Sequence, residues 1–163
     1  MTRADLPWVL ALAGLLHPEH PESAAVFAER LALAPGFCRV LPGGAGYAIA
    51  HPWASPEDGA APPPLDSLLG RLPLAPNALH LHDIALHPMA RGAGRAAAVV
   101  AALLEVAAAQ GLREASLIAV AGKAGYWAGL GFRPAGWPPS PALASYGAGA
   151  LAMVRPLVSR SAS

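Results

Sequence analysis

The stretch that most constrains the fold of this 163-residue chain is a strand, a glycine-opened loop and a long apolar helix in immediate succession. Leu79 to Leu86 reads as a central strand that ends at His87-Pro88. Arg91-Gly92-Ala93-Gly94-Arg95-Ala96 follows, and Ala96 to Gln110 is the longest helical pattern in the chain, closed by Gly111 as a C-cap. An apolar strand that feeds such a helix must bury one face against it, which commits the chain to a layered fold of sheet and helix. Gly92 and Gly94 permit backbone angles that turn amide N–H groups toward one point. The positive end of the helix dipole starts there too, so the loop suits a phosphate or pyrophosphate, with Arg91 and Arg95 adding charge.

Composition supports a single folded domain over residues 1–158, with a frayed Ser-rich tail at 159–163. Hydrophobic residues make up 55% and charged residues 13%, too apolar a balance for a disordered chain. Eleven basic against ten acidic residues leave a net charge of +1, so no field recruits nucleic acid or an anionic membrane face. The apolar runs Trp8 to Leu16 and Ala96 to Leu104 fall well short of the roughly 20 residues that a membrane span needs. Asp5 and the lack of a small-x-small site after Leu16 argue against a signal peptide. Cys38, the only cysteine, has no partner for an internal disulfide, so a cytoplasmic location is expected and Cys38 reads as a core residue.

Upstream of the central strand, Asp5 as N-cap and Pro7 in the first turn start a helix that runs to Leu16. Ser23 caps a second helix that ends at Pro35-Gly36. Phe37 to Leu41 and Tyr47 to Ala50 form a hairpin about Pro42-Gly43-Gly44. From His51 to Pro76 the chain is loop, broken by Pro52, Pro56, Pro62, Pro63, Pro64, Pro73 and Pro76, with a short helix expected only at Leu65 to Arg71. A connection of that length beside an informative strand suits a rim or lid. Downstream, Ala115 to Val120 reads as a buried parallel strand and Gly122 to Leu130 as a short helix closed by Gly131. Phe132 opens another strand, and Ala148 to Arg155 makes the last.

Gly92-Ala93-Gly94-Arg95-Ala96-Ala97 also spells the dinucleotide fingerprint G-x-G-x-x-A, with Glu114 about 20 residues on. Its context is wrong: five residues, His87 to Arg91, separate strand from glycine, and Glu114 precedes its strand where the motif needs an acid at the end of one. A nicotinamide enzyme is not supported.

Arg91-Gly92-Ala93-Gly94-Arg95-Ala96 instead resembles the Q/R-x-x-G-x-G/A signature of the Gcn5-related N-acetyltransferase (GNAT) superfamily. The second hallmark, an aromatic helix closing in an L-G-F turn, is matched by Tyr126-Trp127-Ala128-Gly129-Leu130-Gly131-Phe132. The resemblance is close from Leu79 to Phe132 and covers most of the chain. It implies an α/β (α+β) fold: a mixed, mostly antiparallel central sheet flanked by helices, with a splayed strand pair forming a CoA cleft. It implies that acetyl-CoA is the co-substrate, that Arg91, Gly92, Ala93, Gly94, Arg95 and Ala96 hold its pyrophosphate, and that the backbone of Ile84, Ala85 and Leu86 pairs with its pantetheine. Tyr126 and Trp127 are expected beside the cofactor.

An amine acceptor must lose a proton before it can attack a thioester, and histidine suits that task near neutral pH. His80 and His82 are alternate residues of one strand and share a face. The spelling H-L-H-x-I-A-L-H is similar to the arylalkylamine N-acetyltransferases, where such paired histidines are implicated in deprotonating the amine. Hydrogen-bonded core groups are the plainer reading of both. A shift of apolar parity from Leu79 and Leu81 to Ile84 and Leu86 suggests a bulge. Across it, Asp83 would orient a histidine or meet the substrate ammonium. A metal site of His80, His82 and His51 is the lesser alternative, because no cysteine or H-x-x-x-H helix supports it; no metal is expected.

The sequence departs from the resemblance twice. Trp127 stands where many members carry a tyrosine that protonates the leaving thiolate. An indole N–H is no such acid, which leaves Trp127 to position the sulfur and Tyr126, Tyr146 or solvent to supply the proton, although Tyr126 is expected to pack in the core. Only Met1 to Ala4 precede Asp5, so the usual first strand is short or missing; a homodimer would cover the exposed edge. The reading is an N-acetyltransferase that acts on a small amine by direct attack, with a non-catalytic acyl-CoA-binding module as the alternative.

Overall fold

The structure is a computed structural model in which residues 1–55, 58–137 and 139–157 are described. The chain-end expectation, a domain to 158 and a frayed tail, therefore lies outside the described residues at its last positions. Helices α1 (Leu6–Leu16) and α2 (Ala24–Leu33) come first, followed by the hairpin of β1 (Cys38–Leu41) and β2 (Gly46–Trp53). Then come β3 (Ala78–Leu86), α3 (Arg95–Ala109), β4 (Glu114–Ala119), α4 (Ala124–Gly129), β5 (Arg133–Pro134), α5 (Pro141–Ala144) and β6 (Leu151–Pro156). One sheet holds all six strands in the order β1-β2-β3-β4-β6-β5, antiparallel except where β3 runs parallel to β4. The expected mixed, mostly antiparallel sheet is therefore present.

Two apolar layers fix the sheet between helices. Ala48, Ala50, Leu79, Leu81 and Leu117 pack with Val100, Leu103, Leu104 and Ala107 of α3 on one face. Tyr47, Ile49 and Ala85 pack with Val9 and Leu12 of α1 and Phe27 and Leu31 of α2 on the other. Alternate residues of β2 and β3 thus serve opposite layers, as the two-residue period of a strand requires.

No strand precedes α1, as expected of a first strand short or missing; the Met1 ammonium donates to the Cys38 carbonyl on the outer strand β1 at 3.1 Å. Several other local expectations are corrected. The Asp5 carboxylate accepts from the Thr2 amide one turn upstream rather than capping α1. The Ser23 side chain makes no cap either. Strand β2 extends three residues past Ala50, so His51 lies in the sheet opposite His80 and not in the loop. No helix forms at Leu65 to Arg71. There the backbone groups are claimed by α2: Glu29 accepts the amides of Leu69 and Gly70, and Arg30 Nη2 donates to the Ser67 carbonyl at 2.8 Å. Asp66 also takes a left-handed φ of 50°, which no helix contains. The segment is a strap tied across α2.

Candidate functional site

Pairing between β3 and β4 begins at Ala78 opposite Glu114 and stops at Leu81 opposite Leu117, although both strands continue. Beyond that point they part, and β3 keeps company with β2 alone. At the apex of the opening β3 carries a bulge: Ile49 pairs with Asp83 and Ala50 with Leu81, so His82 has no partner across the strands. The bulge explains the shift in apolar parity and places His82 and Asp83 on the side of α1 and α2, while Ile84 fringes the α3 core.

At the mouth of the opening, β3 leads through the turn Pro88–Ala90 to the loop before α3. Gly92 and Gly94 adopt φ of 83° and 69°, and Gly94 in the left-handed region is the N-cap of α3 without a side-chain cap. Within α3 the first amides, those of Arg95, Ala96 and Ala97, have no intrahelical acceptor, because the ladder opens with Ala98 donating to the Gly94 carbonyl. No Cβ placed at Gly92 or Gly94 would meet an atom within 4 Å, so the loop is open to an incoming group. Arg91 and Arg95 are exposed, and Arg91 Nε lies 3.3 Å from the Leu86 carbonyl. Uncapped amides, a helix dipole and two guanidiniums fit a diphosphate.

Behind Leu86, the His87 amide donates to the Ala45 carbonyl at 2.9 Å, on the β2 side. Strand alternation then turns the backbone groups of Ala85 to β2 and leaves those of Ile84 and Leu86 facing the opening.

Above the bulge, three histidine rings crowd together: His51 and His80 have centroids 5.4 Å apart, His51 and His82 6.1 Å, and His80 and His82 6.4 Å. Burial holds His80 well below the ordinary imidazole range and pushes His51 down to about 3, so both are neutral. His80 Nδ1 shares a hydrogen bond with Ser116 Oγ at 3.1 Å. His82 Nε2 lies 2.9 Å from Glu22 Oε2, with both side chains at most 5% exposed. Asp83 accepts a short 2.5 Å hydrogen bond from the Tyr47 hydroxyl and sits 3.2 Å from His17 Nε2. The Asp83 carboxylate beside it is the main cause of a raised His17 pKa. Burial, and then the Asp83 charge, keeps the Tyr47 phenol protonated. Among the described residues, no group of three or more histidine, cysteine or carboxylate side chains is arranged to hold a metal ion.

The strap covers this polar interior. The Asp66 amide donates to Glu22 Oε1 at 3.0 Å, Asp66 Oδ1 accepts the Ser23 amide at 2.7 Å, and the buried Tyr146 hydroxyl donates to the Pro63 carbonyl at 2.9 Å. Tyr146 is thereby committed to the strap. Tyr126, expected in the core, is 47% exposed instead. Trp127 is half-buried, edge-on to Phe132 at 5.6 Å and to Tyr126 at 5.2 Å, on the rim of the α3 core that Ile84 and Val99 also fringe. The structure thus brings His80, His82 and Asp83 together at the bulge and the 91–96 loop to the mouth. Sequence reasoning missed Glu22, Tyr47, His17 and Ser116: His17 and Glu22 flank helix ends, and Tyr47 and Ser116 lie in apolar strands, without a motif to flag them.

The family model of the acetyltransferase (GNAT) family matches residues 15–132. No curated protein sequence matches the chain. Among solved structures, the fold is similar to the GphF GNAT-like decarboxylase in complex with isobutyryl-CoA, at a TM-score of 0.81 and 18% identity over 97% of both chains. It is similar to the ribosomal-protein-S18-alanine N-acetyltransferase of Escherichia coli, at 0.64 and 19% over all of this chain and 94% of that one. It is also similar to Arabidopsis thaliana Naa50 in complex with the bisubstrate analogue CoA-Ac-MVNAL, at 0.65 and 14% over 95% and 94%.

Proposed function

The chain belongs to the acetyltransferase (GNAT) family, and on that premise we propose that it is an acetyl-CoA-dependent N-acetyltransferase acting on a small primary amine. The observation that carries the reading is the parting of β3 from β4 at Leu81 and Leu117, with a bulge at its apex and an uncapped helix N-terminus at its mouth. Arg91, Gly92, Ala93, Gly94, Arg95 and Ala96 hold the pyrophosphate, and Ile84 and Leu86 offer backbone partners to the pantetheine, with Ala85 between them anchoring β3 to β2 opposite Tyr47. The thioester supplies the acyl group. His82 takes the proton of the acceptor ammonium, because His80 and His51 are fixed as neutral core groups behind it. Asp83, held by Tyr47 and His17, offers negative charge to a cationic acceptor. Trp127 and the exposed Tyr126 flank the thiol end, where Trp127 orients sulfur and solvent reprotonates it; a thiol is acidic enough for that.

A second reading, an acyl-CoA-binding module without turnover, is favoured by Trp127 in the place of a tyrosine. Its proposed setting is the same: a cytoplasmic protein, with buried Cys38 kept reduced, forming a homodimer along the open side of β1. Thiol release from acetyl-CoA in the presence of a panel of primary amines separates the two readings. Release that depends on amine and falls at least about a hundredfold in His82→Ala supports the enzyme, in the range that a positioned base contributes. Binding without release supports the module. Because the GphF likeness is to a decarboxylase, a carboxylated acyl-CoA belongs in the panel as the control for loss of carbon dioxide.

A further inference from the structure

This inference rests on the reading of His82 as the base. Its Nε2 faces Glu22 Oε2 at 2.9 Å, and the second Glu22 oxygen accepts the strap amide of Asp66 at 3.0 Å. A carboxylate oxygen accepts from an N–H, so this contact sets the hydrogen on Nε2, and in the neutral ring Nδ1 then holds the lone pair. His82 Nδ1 is buried and has no hydrogen-bond partner. An unmatched buried acceptor is unfavourable by about 1–3 kcal/mol and calls for a reason. His80 Nδ1 is committed to Ser116, and Asp83 to Tyr47 and His17; His51, whose Nε2 is also unpartnered, turns its Nδ1 to the Pro52 carbonyl.

We propose that Glu22 is the positioning residue of the acceptor site: it fixes His82 as the Nε2–H tautomer, so that Nδ1 stands free as the base, and steadies the imidazolium that forms. In the step this supports, the acceptor ammonium gives one proton to Nδ1. The neutral amine then forms its bond to the thioester carbonyl carbon and the C–S bond breaks. Of the two protons the nitrogen loses, one ends on the thiol sulfur and one in solvent. Because the strap binds the same carboxylate through Asp66, lifting the strap to admit an acceptor loosens Glu22 and with it the base. Assembly of the base is thereby coupled to closure over the substrate.

Nitrogen-15 spectra of the histidine rings in the intact protein test the assignment without any need for turnover. The expected spectrum shows His82 protonated at Nε2 and bare at Nδ1, with that preference lost in Glu22→Ala. Glu22→Gln, which keeps the shape and removes the charge, is expected to lower kcat by about ten- to a hundredfold while KM for acetyl-CoA stays unchanged, with partial recovery in Glu22→Asp. A wild-type His82 protonated at Nδ1 overturns the proposal, as does a Glu22→Gln enzyme of unaltered kcat. If no amine is acetylated the proposed function fails, whereas the ring spectrum still decides whether Glu22 sets the tautomer.

Discussion

His51, His80 and His82 lie within 6.4 Å of one another, yet their surroundings give them different chemistry. Desolvation removes the first two from proton exchange near neutral pH, whereas His82 meets a carboxylate. The sequence shows His80 and His82 as equals, because alternation along a strand says which face a side chain takes and nothing of what waits there. Glu22 comes from the far side of the chain, 60 positions away. At Trp127 the expected result is a gain: Trp127→Tyr retains an aromatic ring against Phe132 and restores a phenolic acid beside the thiol. Turnover is expected to rise several-fold with little change in melting temperature. Stopped-flow thiol release checks this, and an unchanged rate would mean that solvent already suffices as the acid.

Among the elements, β3 carries most of the function, and its neighbours constrain it closely. A Cβ at Gly46 of β2 would overlap the carbonyl oxygen of Ala85 and crowd the Leu86 Cα at 3.1 Å. Gly46→Ala therefore forces apart the strand that flanks the cofactor opening, and such overpacking is unfavourable by about 1–3 kcal/mol. Calorimetry is expected to show a lower melting temperature together with weaker acetyl-CoA binding; loss of stability with full affinity would contradict the place given to β3. The strand, the glycine loop and α3 were legible in the sequence because periodicity and glycine punctuation act locally. The strap was not, since Leu65 to Arg71 has helical composition and the tertiary claims of Glu29 and Arg30 on its backbone hold it out of a helix. Likewise the reach of β2 through Pro52 depends on pairing with Leu79, which no local pattern reveals.

For the whole molecule, the buried histidines make stability depend on pH. A histidine with a folded pKa below its unfolded value binds fewer protons folded than unfolded, so stability is lost as pH falls. For His51 that window runs from about 6.5 down to about 3, and His80 adds to it in the same direction. Each contributes up to about 1.4 kcal/mol per pH unit within its window. His17, raised by Asp83, acts in the opposite sense: its contribution is full below the ordinary value and lost above the raised one, but it is a single group 35% exposed. Denaturant midpoints are expected to drop from pH 7 to pH 5, with a shallower slope in His51→Phe. An equal slope in that variant would mean that His51 is not held neutral.

The central claim is that this fold holds acyl-CoA at the 91–96 loop, and isothermal titration of the purified protein with acetyl-CoA tests it most directly. The account predicts saturable one-to-one binding that an Arg91→Glu/Gly94→Glu variant loses while remaining folded: both positions face open space, and the left-handed φ of 69° at Gly94 lowers the melting temperature only modestly. No heat of binding in the folded wild-type protein, or equal affinity in the variant, would contradict it.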